Sequence, residues 1–423
     1  MSASPSSPRQ PSLSSDRPYD LVLFGATGFT GRLLAEHLSR SDAPVRWALS
    51  GRSEEKLRSV RQALAQHNPR CAELPILTAD ASDPASLQRV AQTTRVICTT
   101  VGPYLRHGLP MVAACAEHGT DYCDLTGEVP FMRTSIDRYH TQAQTTGARI
   151  VHACGFDSIP SDIGVLLLHD FLRARGHRMR EARLFVKSMK GSASGGTLAS
   201  MMNLMQLAVA DRSLRRLLAN PYALLPDPSE SRERQPDLRS VAFDREAQEW
   251  TAPFVMGTVN TRVVHRSNAL LADLYGRDFR YSECLGFGNG LRSAARATTA
   301  FAGLAGFAAL CSNALTRDVL GRFLPKPGEG PSPEVMQRGR WRVHIRGFVD
   351  GHDRAQALLQ LSGEGDPGYA STSRMLLQVA LLLVETHGSA RVGGVQTPAS
   401  ALGRTLAERL PSAGLRAELS ALQ

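Results

Sequence analysis

Three glycines at a fixed spacing constrain this chain more than any other feature. The stretch Tyr19-Asp-Leu-Val-Leu-Phe-Gly25-Ala-Thr-Gly28-Phe-Thr-Gly31-Arg-Leu-Leu-Ala-Glu-His-Leu38 reads as a buried strand, a tight turn and a helix with apolar Leu33, Leu34 and Leu38. In that setting each glycine has a use. Gly25 permits the turn, Gly28 lets a pyrophosphate approach the backbone, and Gly31 lets the helix pack against the strand. The free N–H groups and positive dipole end of the helix face the phosphates. The loop Gly25, Thr27, Gly28, Phe29, Thr30 and Gly31 is therefore expected to hold a dinucleotide.

The second apolar strand, 45–50, runs into Ser50, Gly51 and Arg52. In such folds the adenine ribose lands here. An acid favours a free 2′-hydroxyl, whereas arginine accommodates a 2′-phosphate. Arg52, with no acid before Glu54, points to NADP(H). Asp80, closing the third strand, is expected near the adenine amino group, while Ser53 and Asp83 are expected to cap the helices that follow them. The fourth strand ends in Val101, Gly102, Pro103 and Tyr104, the turn bordering the nicotinamide crevice. Strands and helices alternate through Cys154, which argues for an α/β fold.

The domain plan has four parts: a disordered tail at 1–17, a Rossmann-type doubly wound parallel sheet at 18–155, an α+β substrate or dimerisation domain at 156–370, and C-terminal helices at 371–423 packing back on the first domain. In the second domain, 183–187, 254–264 and 341–350 read as strands. Residues 221–240 read as an exposed excursion, and 369–385 as a helix. Asp157, Ser158 and Ser161 are candidate caps for a helix from Ile163. The stretch 297–316 carries no charge and reaches the length of a membrane span, but alanine and glycine dilute it. A buried or dimer helix, a peripheral membrane contact and, least favoured, a true span all remain open for it.

The net charge of +10 comes without a dense basic run, and only Lys56, Lys187, Lys190 and Lys326 of the 49 basic residues are lysine. Nucleic acid is not an expected partner. Anionic cofactors, acidic carrier proteins or an acidic membrane surface account for the charge equally well. Seven scattered cysteines without a C-x-x-C pair suggest buried, reduced thiols and a cytoplasmic protein, with peripheral contact at the inner face of the plasma membrane as a variant. No zinc-ligand spacing occurs, and no metal is expected.

Several motifs together carry a family likeness: Gly25-Ala-Thr-Gly-Phe-Thr-Gly31, Ser50-Gly-Arg52, Val101-Gly-Pro-Tyr104, Asp121-Tyr-Cys-Asp-Leu-Thr-Gly-Glu128 and Cys154-Gly-Phe-Asp-Ser-Ile-Pro-Ser-Asp162. Lys190 to Thr197, Tyr369 to Thr372 and Thr397 to Ala399 extend it. The chain resembles the saccharopine dehydrogenase-like oxidoreductases, and within them the trans-acting enoyl reductase branch. The resemblance implies NADP(H) and an acyl substrate, with a carrier protein delivering the chain, in lipid or polyketide synthesis. In saccharopine enzymes a Gly-x-Asp-Pro-Gly turn stands where Gly155-Phe-Asp157-Ser-Ile-Pro160 stands here. That departure argues against amino-acid chemistry.

None of the eight tyrosines has a lysine four residues on, which excludes the Tyr-Lys dyad of alcohol–ketone reductases. Reduction of an activated double bond needs no such dyad, because hydrogen-bond donors can hold an enolate oxygen. Tyr104 is the first candidate for donor or proton source, with Asp124 and Thr126 second. A saccharopine-type dehydrogenase and a non-catalytic NADP-binding scaffold remain as alternatives.

Overall fold

The computed structural model describes residues 17–191, 195–230, 232–312, 316, 330–389 and 392–422. Parts of the expected tail, of the loop between Lys190 and Thr197, and of the stretch beyond Ser312 lie outside those residues. The first unit follows the alternation in the sequence. Its strands and helices are β1 (Tyr19–Phe24), α1 (Phe29–Ser39), β2 (Trp47–Gly51), α2 (Glu54–His67), β3 (Ile76–Thr78), α3 (Pro84–Thr93), β4 (Thr94–Thr99), the single turn α4 (Tyr104–His107), α5 (Leu109–His118), β5 (Asp121–Cys123), α6 (Val129–Thr146) and β6 (Arg149–Val151). Ser53 and Asp83 cap α2 and α3 through the N–H groups of Lys56 and Ala85. The strands pair in parallel in the order β6-β5-β4-β1-β2-β3. Alternate residues of β1 serve two cores: Leu21 and Leu23 face one, Val22 and Phe24 the other. Burial on both faces is why the strand reads as one apolar run.

The second unit begins with α7 (Ile159–Arg173), followed by β7 (Met179–Lys190), α8 (Gly195–Ala210), α9 (Arg212–Ala219), β8 (Ala242–Asp244), β9 (Glu249–Pro253), α10 (Gly257–Leu270), β10 (Arg280–Gly286), α11 (Leu291–Ser312), β11 (Arg340–Val349) and β12 (Ala357–Glu364). A helix at Thr372–Glu385 and β13 (Gly394–Gln396) return the chain to the first unit, and β14 (Leu415–Ala421) ends it. The second sheet is mixed, in the order β14-β12-β11-β7-β10-β9-β8.

Four expectations need correction. The stretch 254–264 is not a strand but the start of α10. Its Val and Thr residues favour strands locally, yet Val259, Val263 and Val264 fall on buried helical positions, and packing overrides propensity. Residues 222–225 are not exposed: Tyr222, Ala223, Leu224 and Leu225 are buried, and the Arg133 and Arg266 guanidinium groups donate to their carbonyls. The C-terminal segment is not all helix, because β13 extends the first sheet beside β6 and β14 pairs with β12 in the second. Arg17, placed in the tail by its sequence, is buried and donates to Thr120 Oγ1 at 2.6 Å.

The two sheets share one apolar core, which runs from Leu21 and Leu34 to Trp341, Ile345 and Leu376. The β6–α7 turn crosses it. Phe156 stacks edge-on against Trp341 with ring centroids 4.9 Å apart, and its N–H donates to Thr372 Oγ1 at 3.0 Å. α7 starts four residues before the expected Ile163, and none of the three candidate caps is recorded capping it. Ser158 donates to Asn260 Oδ1 and Ser161 bonds Glu283. Asp162, in the first turn of α7, takes the Ser267 hydroxyl and the Ala399 N–H, tying α10 and the C-terminal segment to α7.

Burial raises the Asp162 carboxyl to about 7, and its three hydrogen bonds only partly offset this. A folded-state value above the unfolded one makes its contribution full at low pH and lost as pH rises through about 7. Asp162→Asn should therefore gain stability relative to the native protein as pH rises from about 5 to 8. The gap should widen by at most about 1.4 kcal/mol per pH unit. Melting curves across that range check this; a constant gap would exclude the buried acid.

Candidate active site

The carboxyl edge of the first sheet gathers the residues named from the sequence. Gly25 has φ +92°, and a Cβ there would sit 2.7 Å from Val101 Cγ2. A Cβ on Gly31 would overlap the Gly25 carbonyl oxygen, so α1 approaches the β1 turn closer than any other residue permits. Gly25 and Ala26 donate to Ser50 O, and Gly28 to Gly25 O. Gly28 precedes α1 without a side-chain cap, and no acid stands in the first turn. The amides of Phe29, Thr30 and Gly31 thus head a helix end that no side-chain cap bonds.

The ribose side is mixed. Arg52 is exposed and makes no ion pair among the described residues. Thr27 lies close by, its Oγ1 3.9 Å from where a Gly51 Cβ would be. The Ser50 hydroxyl turns away from the crevice and donates to Leu77 O at 2.8 Å, so Ser50 supports the β2–β3 pairing rather than offering a hydroxyl to a ligand. Asp80 sits at the rim, where the Ser82 hydroxyl and N–H hold its carboxyl below the usual range.

The loops after β4, β5 and β6 are knitted together. Gly102–Pro103 is a cis peptide. Glu128 accepts the N–H groups of Tyr104 and Leu105 at 2.9 and 2.8 Å and the Ser200 hydroxyl at 2.7 Å. Tyr104, expected to face the reactive ring, points inward instead. Its hydroxyl donates to Thr99 O and accepts from Leu125 N–H, and its ring packs on Phe131. Burial first, then the Asp124 charge, raise its phenol well above the usual range. It is a brace between two loops. Asp124 is likewise no surface acid. Fully buried, it accepts from Thr126 N–H, Ala153 N–H and the Tyr122 hydroxyl, and pairs with His152 Nδ1 at 2.7 Å. Thr126 is buried and accepts the Glu128 N–H.

One group that sequence reasoning treated as a cap stands differently. Asp157 follows β6 at the same edge, partly exposed, with no hydrogen bond or ion pair to the described residues. Burial of its surroundings raises its carboxyl to about 6. Its flanking residues are held on both sides, Phe156 by Trp341 and Thr372 and Ser158 by Asn260, so the turn fixes where the carboxyl stands. Over the glycine loop, Phe29 meets Tyr369 edge-on at 4.6 Å, and the Tyr369 hydroxyl accepts the Gly195 N–H.

The comparisons agree with this geometry. The model for the saccharopine dehydrogenase NADP-binding domain matches residues 21–151. The chain is 43% identical over 412 residues to a trans-acting enoyl reductase of Mycobacterium bovis, covering 95% of this chain and 97% of that one. It is 42% identical over 415 residues to a trans-acting enoyl reductase of Mycobacterium ulcerans, covering 95% and 98%. The chain belongs to the trans-acting enoyl reductase family. A solved saccharopine dehydrogenase (L-Glu forming) of Saccharomyces cerevisiae superposes with a TM-score of 0.52 at 11% identity, covering 96% of this chain and 100% of that one, which shows the shared fold. The protein is an NADP-dependent oxidoreductase, and the glycine loop, the uncapped start of α1 and the exposed Arg52 fit that cofactor.

A charge-assisted contact to the 2′-phosphate is worth roughly 1.5–3 kcal/mol. Arg52→Ala should thus weaken NADPH binding by about 10- to 150-fold and leave NADH nearly unchanged, as titration of both cofactors will read. Equal losses for the two would place Arg52 elsewhere.

Proposed function

We propose that the protein reduces the α,β-double bond of an acyl thioester presented by a carrier protein. The observation that supports this most is the kind of acid the carboxyl edge offers. Bound NADPH supplies hydride to the β-carbon. Loop 25–31 and Arg52 hold the cofactor, and the turn 101–103 borders its reactive end. The remaining requirement is one proton at the α-carbon. Tyr104 and Asp124 are committed to buried bonds, and Glu128 to three donors. Among the described residues Asp157 alone of the candidate acids of these loops has an uncommitted carboxyl, and it is assigned the proton. A group near 6 suits protonation of carbon close to neutrality. The mycobacterial relatives named for enoyl reduction support the reaction class. The altered turn around Asp157 disfavours saccharopine chemistry, and a scaffold role leaves the uncommitted carboxyl without a use.

Two measurements test the reading. NADPH oxidation should require a carrier-bound enoyl thioester and be negligible with saccharopine; the reverse would overturn the reaction class. In the native protein kcat should fall as pH rises above about 6, because the acid must be protonated. Asp157→Asn should lower kcat about 100-fold or more and remove that limb. Tyr104→Phe should keep kcat within about threefold while losing about 1–3 kcal/mol of stability, since it leaves the Leu125 N–H unpaired. An unchanged pH profile in Asp157→Asn would remove Asp157 from the mechanism and leave the reaction class standing.

A further inference from the structure

Two helices leave large apolar faces bare. α11 is a 22-residue helix, and its most apolar window, within 291–311, has a mean hydropathy of 1.3 and is only 11% buried. α8, Gly-Gly-Thr-Leu-Ala-Ser-Met-Met-Asn-Leu-Met-Gln-Leu-Ala-Val-Ala, packs beside it. Leu207 is 39% exposed, Val209 57%, Leu291 89% and Leu310 45%. Exposed large apolar side chains on two adjacent helices, one of them bare along nearly all of its most apolar stretch, mark an interaction surface rather than ordinary scatter.

Along these helices the charge is predominantly positive. Arg212 and Arg216 on α9, with Arg292 and Arg296 on α11, are exposed. Arg215 also lies on α9 and donates to the Ala208 and Val209 carbonyls, closing the end of α8. Across 195–220 and 291–316 the only acid is Asp211, and it is spent capping α9. An isologous dimer through this face would bring five arginines against five, which disfavours a second copy. An acidic carrier protein matches the rim but not the bare apolar helix between. An anionic bilayer matches both.

Strand pairing fixes the mode of contact. α11 lies between β10 and β11, and both border β7: Val186 pairs with Leu285 on one side and Val343 on the other. Both ends of the helix therefore return to one sheet, and a transmembrane course would tear that sheet apart. At 1.5 Å per residue the helix is about 33 Å long, and it must lie in the plane of the interface.

We propose that α8, α9 and α11 form a monotopic membrane-binding face that seats the protein on anionic phospholipid. The face is joined to the cofactor crevice. Ser200 of α8 donates to Glu128, which holds the Tyr104 turn, and Arg106 of α4 donates to Asn203 of α8 at 2.6 Å. Seating on lipid would place the crevice beside the membrane surface, where a long acyl chain partitions.

The test is co-sedimentation of the full-length protein with phosphatidylcholine vesicles, with and without 30% phosphatidylglycerol. The expected result is binding to the anionic vesicles, at least tenfold weaker on pure phosphatidylcholine and reduced by 0.5 M salt. Val209→Glu with Leu310→Glu, and separately Arg212→Glu with Arg216→Glu, should each lower binding tenfold or more. Both should keep their melting temperature, NADPH affinity and turnover of a short soluble enoyl thioester. Absence of binding to either vesicle would overturn the proposal. So would binding that neither pair of substitutions weakens, or a native dimer that Val209→Glu with Leu310→Glu converts to monomer while vesicle binding persists.

Discussion

The approach of α1 to the β1 turn sets the geometry of everything at the carboxyl edge. With a side chain at position 31 the helix would be pushed off the Gly25 carbonyl. Its first amides would then no longer converge on the loop, and the helix dipole would aim elsewhere. Gly25 meets a second limit, because Val101 and Thr100 from the β4 loop press on it from the other side. Thr100 N–H donates to Phe24 O, and its hydroxyl donates to Gly25 O. The glycine loop and the turn after β4 are thus built as one object, and displacing either would move both.

Around that object the protein spends its buried charge on positioning. Asp124 ties the β5 loop to the β6 loop through Ala153 N–H and His152, and Glu128 ties the β4 turn to α8. Asp121 pairs with Arg149, which also donates to Thr386 Oγ1 and Leu383 O, so the C-terminal helix is bolted beneath the same loops. Removing one partner of such a buried pair leaves an uncompensated charge, so these residues resist change whether or not they touch substrate. That explains why acids conspicuous in the sequence are structural while a less conspicuous one is free.

Legibility followed the range of the forces involved. The glycine turn, the caps at Ser53 and Asp83 and the run of β1 depend on neighbours within a few residues, and they could be read directly. The direction of a side chain could not. Ser50 and Tyr104 stand where a ligand would be expected, but whether they face the crevice depends on Thr99 and on Leu77, Leu125 and Phe131, the last three distant in sequence. α10 read as a strand because valine and threonine dominate its start. Its helical form follows from packing against α7 and β10, and no local pattern carries that information. β13 and β14 were illegible for a related reason: Gly394–Gln396 is a strand only because β6 offers it an edge, and Leu415–Ala421 because β12 does.

Asp157 shows how a weak local signal becomes informative once competitors are accounted for. In the sequence it is one of three polar residues before a helix, and capping is the ordinary use of such residues. The structure gives Ser158 to Asn260 and Ser161 to Glu283, and starts the helix at Ile159. The carboxyl of Asp157 is then left without a recorded partner in surroundings that disfavour its charge. A protein gains no stability from keeping an acid there. Such a group is tolerated when its proton has a use, and a turn clamped on one side by Trp341 and Thr372 and on the other by Asn260 is rigid enough to aim it. Phe156 and Ser158 both make these contacts with the second unit. Asp157 therefore sits in a turn at the carboxyl edge of the first sheet that is fixed from both units.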